Sequence, residues 1–344
     1  MMFEVTESER QAGAVEPEKL AAIVHEIRSI GFAVVSGLVS METCELLAAS
    51  VQEDAEILRN LGTPTAHERL TGRGHMQLGL RRYAPYVTPD LVANLPMESI
   101  IAGVLGRGAW LGFYNGNVNC PDSTFQPLHM DRPFSWKTPE EAAAAGQAWP
   151  PPTTSLGCSI ALETITEENG ATEVYPGTHR ATEVIDLLKG GSQLEDHPDL
   201  LERWGPPARM TIPAGGAVIR DPRMWHRGVP NPADKPRAMI AVTYHSALGK
   251  HWRGRLVKRM SEDDLRASES DPTLRVMDDR SLGDGRLVFQ ADTRSAFEDT
   301  PNPHGIDRNV RFVDAPLRVN HFLDSQGLGG ARVVSTDVLS AAGA

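Results

Sequence analysis

Apolar residues at Leu20, Ile23, Val24, Ile27 and Ile30 recur at three- and four-residue intervals between Pro17 and Gly31, a spacing that predicts an amphipathic helix closed by the glycine. The apolar run Phe32 to Ser36 predicts a short strand directly after it. Ser40 then opens a second helical pattern through Cys44, Leu47, Ala48, Val51, Ala55 and Leu58, with Gly62 as its stop. The first third of the chain is expected to be mostly helical.

After about residue 108 the pattern changes to short apolar or alternating runs separated by Gly, Pro and Asn, which predicts a β-rich body. Leu156, Cys158, Ile160 and Leu162 alternate with small or polar residues. Further strands are expected at 109–114, 172–175, 210–212, 217–220, 225–228 and 237–245, and strands this short and frequent suggest a barrel or sandwich. Residues 138–152 carry an alanine-rich helical piece followed by three prolines, an insertion placed like a lid. The chain is expected to form one domain over 1–310, with a helical part 15–107, a β core 108–248 and an irregular, turn-rich elaboration 249–310. Residues 311–344 would be a C-terminal extension, and no internal repeat is found.

At 344 residues the chain is long enough for a sizeable core under either a one- or a two-domain division. A formal charge of -11 and the lack of a Lys/Arg-rich run argue against a nucleic-acid partner or an anionic membrane surface. Three widely spaced cysteines, Cys44, Cys120 and Cys158, fit reduced thiols in a cytoplasmic protein rather than a disulfide framework. The start has no signal-peptide pattern, and no stretch approaches the roughly 18 apolar residues needed to span a bilayer.

Candidate chemistry centres on His129, Asp131 and His226. Two neutral imidazoles and one carboxylate can hold Fe(II) while leaving adjacent coordination positions open for oxygen chemistry. On a strand, positions i and i+2 share a face about 6.6 to 6.8 Å apart, so His129 and Asp131 can converge on one ion. A second such spacing, His197 and Asp199, has Pro198 between them and a helix-like continuation, which makes it a helix terminus. Arg237 follows His226 by eleven residues across a turn-rich stretch, so a hairpin-like turn is expected to bring the two near each other. A guanidinium there can clamp the distal carboxylate of a diacid. Other histidines compete for the third ligand position: His179 lies in a turn sequence, and His245 and His251 lack a partnered arginine.

Taken together, LHMD at 128–131, NGATEVYPGTHR at 169–180 and WHRGVPNPADKPR at 225–237 resemble the phytanoyl-CoA dioxygenase-like branch of Fe(II)/2-oxoglutarate oxygenases, as does GFAVVSGLVS at 31–40. The resemblance spans roughly residues 15 to 248. It implies a mainly β fold with flanking helices, a double-stranded β-helix (jelly-roll, cupin-like) barrel. It also implies His129, Asp131 and His226 as iron ligands, Arg237 on the distal carboxylate of 2-oxoglutarate, and Gln126 and Thr172 as further co-substrate contacts. Some relatives carry Ser or Thr two residues after the distal histidine, where this chain has Gly228, and halogenating relatives lack the carboxylate that Asp131 supplies.

The activity implied is oxidation, by default hydroxylation, of an unactivated C–H in a small metabolite or natural-product intermediate, consuming O2 and 2-oxoglutarate and releasing succinate and CO2. Oxidative cyclisation, desaturation or epimerisation at the same site is the alternative within the family. A redox-neutral or non-catalytic metal-binding barrel is the alternative outside it. Phe134, Trp136 and Trp225 lie near the motifs and are candidates for a substrate pocket; Trp149 is a further aromatic beside them.

Overall fold

The structure, a computed structural model, describes residues 1–60, 71–81, 84–182, 198–247 and 299–308, with strands at 257–260 and 288–291 and a few single positions besides. The first helices follow the apolar spacing. After β1 (Met2–Glu4), α1 (Glu7–Ala12) and α2 (Pro17–Ile30) come β2 (Phe32–Ser36) and α3 (Met41–Asn60). Gly31 ends α2 with φ 95°, a left-handed conformation in which a Cβ would also meet the His179 ring at 2.8 Å. Ser40 caps α3 by accepting from Thr43 N at 3.2 Å. Ile23 and Ile27 of α2 are fully enclosed, each contributing about 1.5–3 kcal/mol through burial.

The β body is two sheets. The larger contains β1, β2, β8 (Ala217–Arg220), β5 (Ser155–Ala161), β10 (Arg237–His245), β4 (Trp110–Asn119) and β3 (His75–Gly79), in that spatial order. The smaller contains β7 (Ala208–Arg209), β6 (Glu173–Val174) and β9 (His226–Arg227), extended by an isolated antiparallel bridge between His129 and His226. Strand periodicity then sorts the side chains onto two faces. Ala33, Val35, Leu156, Cys158, Ile160, Ala217, Ile219, Ala238, Ile240 and Val242 pack with the helices in the main core. The alternate residues Phe32, Val34, Ala161, Val218 and Met239 pack with Val174 and Ile212 between the two sheets. This is the double-stranded β-helix with helices on one side. Arg220 and Arg237 fall on the strand positions that face the space between the sheets.

Two strand expectations change. The predicted strand 210–212 begins earlier, as β7, and contributes only a bridge from Ile212 to Ile165. The turn between His226 and Arg237 does not make them hairpin partners: β9 belongs to the smaller sheet and β10 to the larger, so the chain crosses from one layer to the other. The crossing is tied down by Asn231, whose Nδ2 donates to the carbonyls of Asn119 and Lys235 at 2.9 Å each, while Ala233 N donates to its Oδ1 at 3.0 Å. An asparagine that closes its own turn while gripping the end of β4 sets where both neighbouring strands start.

In the expected irregular stretch 249–310, the described residues include a parallel ribbon of β11 (Val257–Met260) with β12 (Val288–Ala291). The segment 305–308 returns to the body, where Leu111 N donates to Asp307 O at 3.0 Å and Asp307 N to Ala109 O at 2.8 Å. Arg308 then forms a two-pronged pair with the fully buried Glu98, both contacts at 2.7 Å. His197, His251 and residues 311–344 lie outside the described residues. Among the described residues no helix is long and apolar enough to cross a membrane.

Candidate metal centre

His129, Asp131 and His226 converge: one ligand atom from each lies within 4.8 Å of the others. Their backbone explains this. The segment 126–131 runs antiparallel to 222–228, with Gln126 N donating to Gly228 O at 2.9 Å, His129 N to His226 O at 3.1 Å, His226 N to His129 O at 3.0 Å and Asp131 N to Pro222 O at 2.9 Å. His129 makes only this bridge and Asp131 sits at a bend, so the shared face comes from pairing with the β9 segment rather than from a regular strand of its own.

The imidazoles are held in one tautomer. Nδ1 of His129 is 2.8 Å from Pro127 O and Nδ1 of His226 is 2.9 Å from Met224 O. A carbonyl can only accept, so each Nδ1 carries the hydrogen and each Nε2 presents a lone pair. Those two Nε2 atoms lie 3.7 and 3.5 Å from the same oxygen of Asp131, Oδ1. Burial, reinforced by the neighbouring His226, lowers the His129 pKa to about 4, so this ring is neutral at physiological pH. Desolvation works to raise the Asp131 carboxyl, but the Arg220 guanidinium bonded to it outweighs this and holds the group well below the usual carboxylate range. Two imidazole nitrogens facing one ionised oxygen are the donor set a divalent transition metal takes.

Arg237 lies in the larger sheet opposite Asn119 of β4. It is buried, donates from Nη2 to Gly170 O at 2.9 Å, and its Nε has no partner among the described residues. Burial lowers its pKa to about 10, which still leaves it cationic at neutral pH. An orphaned guanidinium nitrogen in the barrel interior suits a carboxylate ligand. The same stretch carries Thr172, whose carbonyl accepts from Met210 N at 2.9 Å.

Gln126 faces Gly228, donating its backbone N–H to that residue's carbonyl and accepting from Gly228 N through Oε1 at 2.8 Å. A Cβ on residue 228 would come within 2.6 Å of His75 Cε1 and 2.8 Å of Gln126 Oε1. The side chain some relatives place there is therefore incompatible with this packing, and the Gln126 amide occupies its space.

The three candidate pocket aromatics separate. Phe134 is buried under the Arg223 guanidinium, 5.2 Å from ring centre to Cζ. Trp136 is half-buried and donates from Nε1 to Ala148 O at 3.1 Å, which ties the strand exit to the insertion. Trp225 is fully enclosed, its ring centre 6.4 Å from that of Tyr175 and 6.0 Å from that of Trp204. It packs in a core cluster with Leu128, Tyr175 and Leu200. Trp149 is partly exposed. His179 is buried and contacts Arg28 O through Nε2 at 3.2 Å, and His245 contacts Arg132 at 3.3 Å; neither joins the three-ligand cluster.

Sequence reasoning missed Arg220. Its Nη2 donates to Asp131 Oδ2 and lies 3.2 Å from His226 Nε2. The signal was present in Ala217-Val218-Ile219-Arg220, where a cation ends an apolar strand on its inward face.

The phytanoyl-CoA dioxygenase (PhyH) family matches residues 27–239. The chain belongs to this family. The match covers every residue of the candidate centre, from Gln126 through Arg237. Among curated proteins, dioxygenase trt7 of Aspergillus terreus (strain NIH 2624 / FGSC A1156) is 27% identical over 171 residues, 48% of this chain and 56% of that protein. Dioxygenase andF of Emericella variicolor is 28% identical over 129 residues, 36% of this chain and 37% of that protein, so the similarity spans about half or less of either relative. Among solved structures, HygX from Streptomyces hygroscopicus, with nickel, 2-oxoglutarate and hygromycin B bound, superposes on this PhyH member with a TM-score of 0.49 at 13% identity, covering 75% of this chain and 94% of that one. The non-heme alpha ketoglutarate dependent carbocyclase SnoK from nogalamycin biosynthesis gives a TM-score of 0.48 at 19% identity over 68% and 85%.

Proposed function

We propose that this PhyH-family protein is an Fe(II)/2-oxoglutarate-dependent dioxygenase that hydroxylates an unactivated C–H of a small metabolite or natural-product intermediate. The observation that carries this is the pair of Nε2 lone pairs facing Asp131 Oδ1, each imidazole oriented through Nδ1 by a backbone carbonyl. His129, Asp131 and His226 would hold the iron; Arg237 would take the distal carboxylate of 2-oxoglutarate, with Gln126 and Thr172 as further contacts. A ferrous ion so held supplies the redox chemistry by which O2 and 2-oxoglutarate oxidise a C–H bond to C–OH, releasing succinate and CO2.

The chain's own residues provide binding, orientation and shelter. The neutral His129 ring binds a dication without first losing a proton, and an ionised Asp131 adds a charge without competing for one. The buried cation of Arg237 favours a diacid over a neutral keto compound. Phe134 under Arg223 and Trp136 tied to Ala148 would form the apolar side of the substrate space, where fixed walls exclude water from the oxidation. Asp131 as third ligand supports hydroxylation over halogen transfer, which needs that position vacant. A cytoplasmic setting with reduced, buried thiols accompanies this reading.

The test is succinate formation from purified protein with Fe(II), O2 and 2-oxoglutarate, with and without a metabolite extract of the source organism, followed by mass spectrometry for a product heavier by one oxygen. Succinate that depends on the extract supports the reading. A protein that neither turns over nor binds 2-oxoglutarate would instead be a redox-neutral metal-binding barrel.

A further inference from the structure

We infer that Arg220 is a positioning residue of the metal centre: by occupying Asp131 Oδ2 it leaves Oδ1 as the single oxygen offered to the ion and so keeps a coordination position open for 2-oxoglutarate. The inference rests on the metal-centre reading given above.

Asp131 is divided between two partners. Oδ1 faces both Nε2 atoms, at 3.7 and 3.5 Å, while Oδ2 accepts from Arg220 Nη2, which also lies 3.2 Å from His226 Nε2. A carboxylate free at both oxygens can bind a metal through one or both; one whose second oxygen is held by a charge-assisted hydrogen bond binds through the first. The Asp131 side chain is 43% exposed, and the guanidinium bond to Oδ2 sets its angle.

Arg220 is itself costly where it sits. Its side chain is 10% exposed, and Nε and Nη1 are buried with no partner among the described residues. A buried cation with unpaired donors is destabilising, so folding gives no reason to retain it. Its place is nevertheless rigid: β8 is paired on both sides, with Arg220 opposite Phe32 of β2 and Gly157 of β5. The guanidinium stem runs alongside Gly157, where an added Cβ would lie 3.9 Å from Arg220 Cζ, an ordinary contact. A cation on a central strand, six residues before a metal ligand and bonded to another, is placed to set that ligand's orientation.

Charge and geometry oppose each other in a way that makes the role measurable. Removing the cation removes its repulsion of the metal, which favours metal binding. It also frees Oδ2 to take a second coordination position, which disfavours the chelating co-substrate. A side chain that merely supported the fold would weaken both together.

The test uses the full chain, with Co(II) as the metal probe and 2-oxoglutarate as the second ligand, both titrated by calorimetry, and the Co(II) absorption spectrum recorded before and after 2-oxoglutarate. Thermal melting confirms that each variant is folded. Arg220→Met is expected to bind Co(II) as tightly as the unaltered protein or more so, and to bind 2-oxoglutarate about tenfold more weakly, the loss expected for one charge-assisted interaction. It should also show a changed Co(II) spectrum before co-substrate is added. Arg220→Lys, which keeps the charge and a donor, should recover most of the 2-oxoglutarate affinity. Equal 2-oxoglutarate binding by Arg220→Met, parallel loss of both ligands, or a Lys variant no better than Met would each overturn the inference. If the unaltered protein binds no Co(II), the metal-centre reading itself fails, and that result is separate from any behaviour of Arg220.

Discussion

His129 and His226 face each other across an antiparallel bridge with ring centres 4.3 Å apart, and each donates from Nδ1 to the carbonyl two residues before it. Identical local hydrogen bonds on two paired segments thus aim two lone pairs at one point. On the proposed reading, replacing either ring by Ala removes a ligand outright, so His129→Ala and His226→Ala should each weaken Co(II) binding by more than about a hundredfold, beyond the ten- to hundredfold cost of losing an outer partner. Calorimetric titration with melting temperatures within a few degrees of the unaltered protein checks this, and unchanged affinity would mean the ligands lie elsewhere.

Arg237 donates to Gly170, and its Nε has no partner among the described residues, which leaves a donor for a ligand. Arg237→Met should leave metal affinity unchanged and raise the 2-oxoglutarate concentration needed for half-saturation by roughly ten- to hundredfold, the range for a lost hydrogen bond to a charged group. A parallel titration with Co(II) and 2-oxoglutarate separates the two effects.

Gly228 has no space for a side chain between His75 and Gln126. Gly228→Ser should displace the Gln126 amide from its bond to residue 228 and cost about 1–3 kcal/mol, as overpacking typically does. Chemical denaturation measures this directly. A variant as stable as the original would show that the amide has an alternative resting place.

Glu9 is 2% exposed and accepts from Thr6 N at 2.8 Å, Glu16 N at 2.9 Å and Lys19 Nζ at 2.6 Å. Burial opposes ionisation, but the Lys19 bond and the backbone donors prevail and lower its pKa from 4.5 to about 2. Because the folded value lies below the unfolded one, the stabilisation is complete above about pH 4.5 and is lost as pH falls towards 2. Glu9→Gln should flatten the stability profile over that window by on the order of 2 kcal/mol. Urea denaturation at intervals between pH 5 and about 2.5 tests it, and equal slopes for both proteins would refute the assignment.

Much of the centre was legible along the chain because its signals are local. The spacing of His129 and Asp131, and the eleven residues from His226 to Arg237, survive as letters; so do the faces of α2 and α3, the strand Phe32–Ser36 and the strand Arg237–His245, whose periods depend only on neighbours. What could not be read was pairing across distance. β1 and β3, three and five residues long, are strands because edges of the larger sheet accept them, and the helix Leu95–Leu105, apolar on most sides, lacks the one-sided stripe that marks an amphipathic element. The layer change between His226 and Arg237 likewise follows from which strands each finds, a matter that a turn-rich sequence leaves open.

By itself the amino-acid order determined the kinds of side chain available for chemistry, the strand and helix periods, and membership in a family of known ligand spacing. Tertiary structure alone decided that 126–131 pairs with 222–228, that two Nε2 atoms share Asp131 Oδ1, and that Arg220, from a strand with no motif, takes the other oxygen. The reason is range: periodicity is enforced by backbone geometry over a few residues, whereas a carboxylate's second partner, 89 residues away, is selected only when the sheets close.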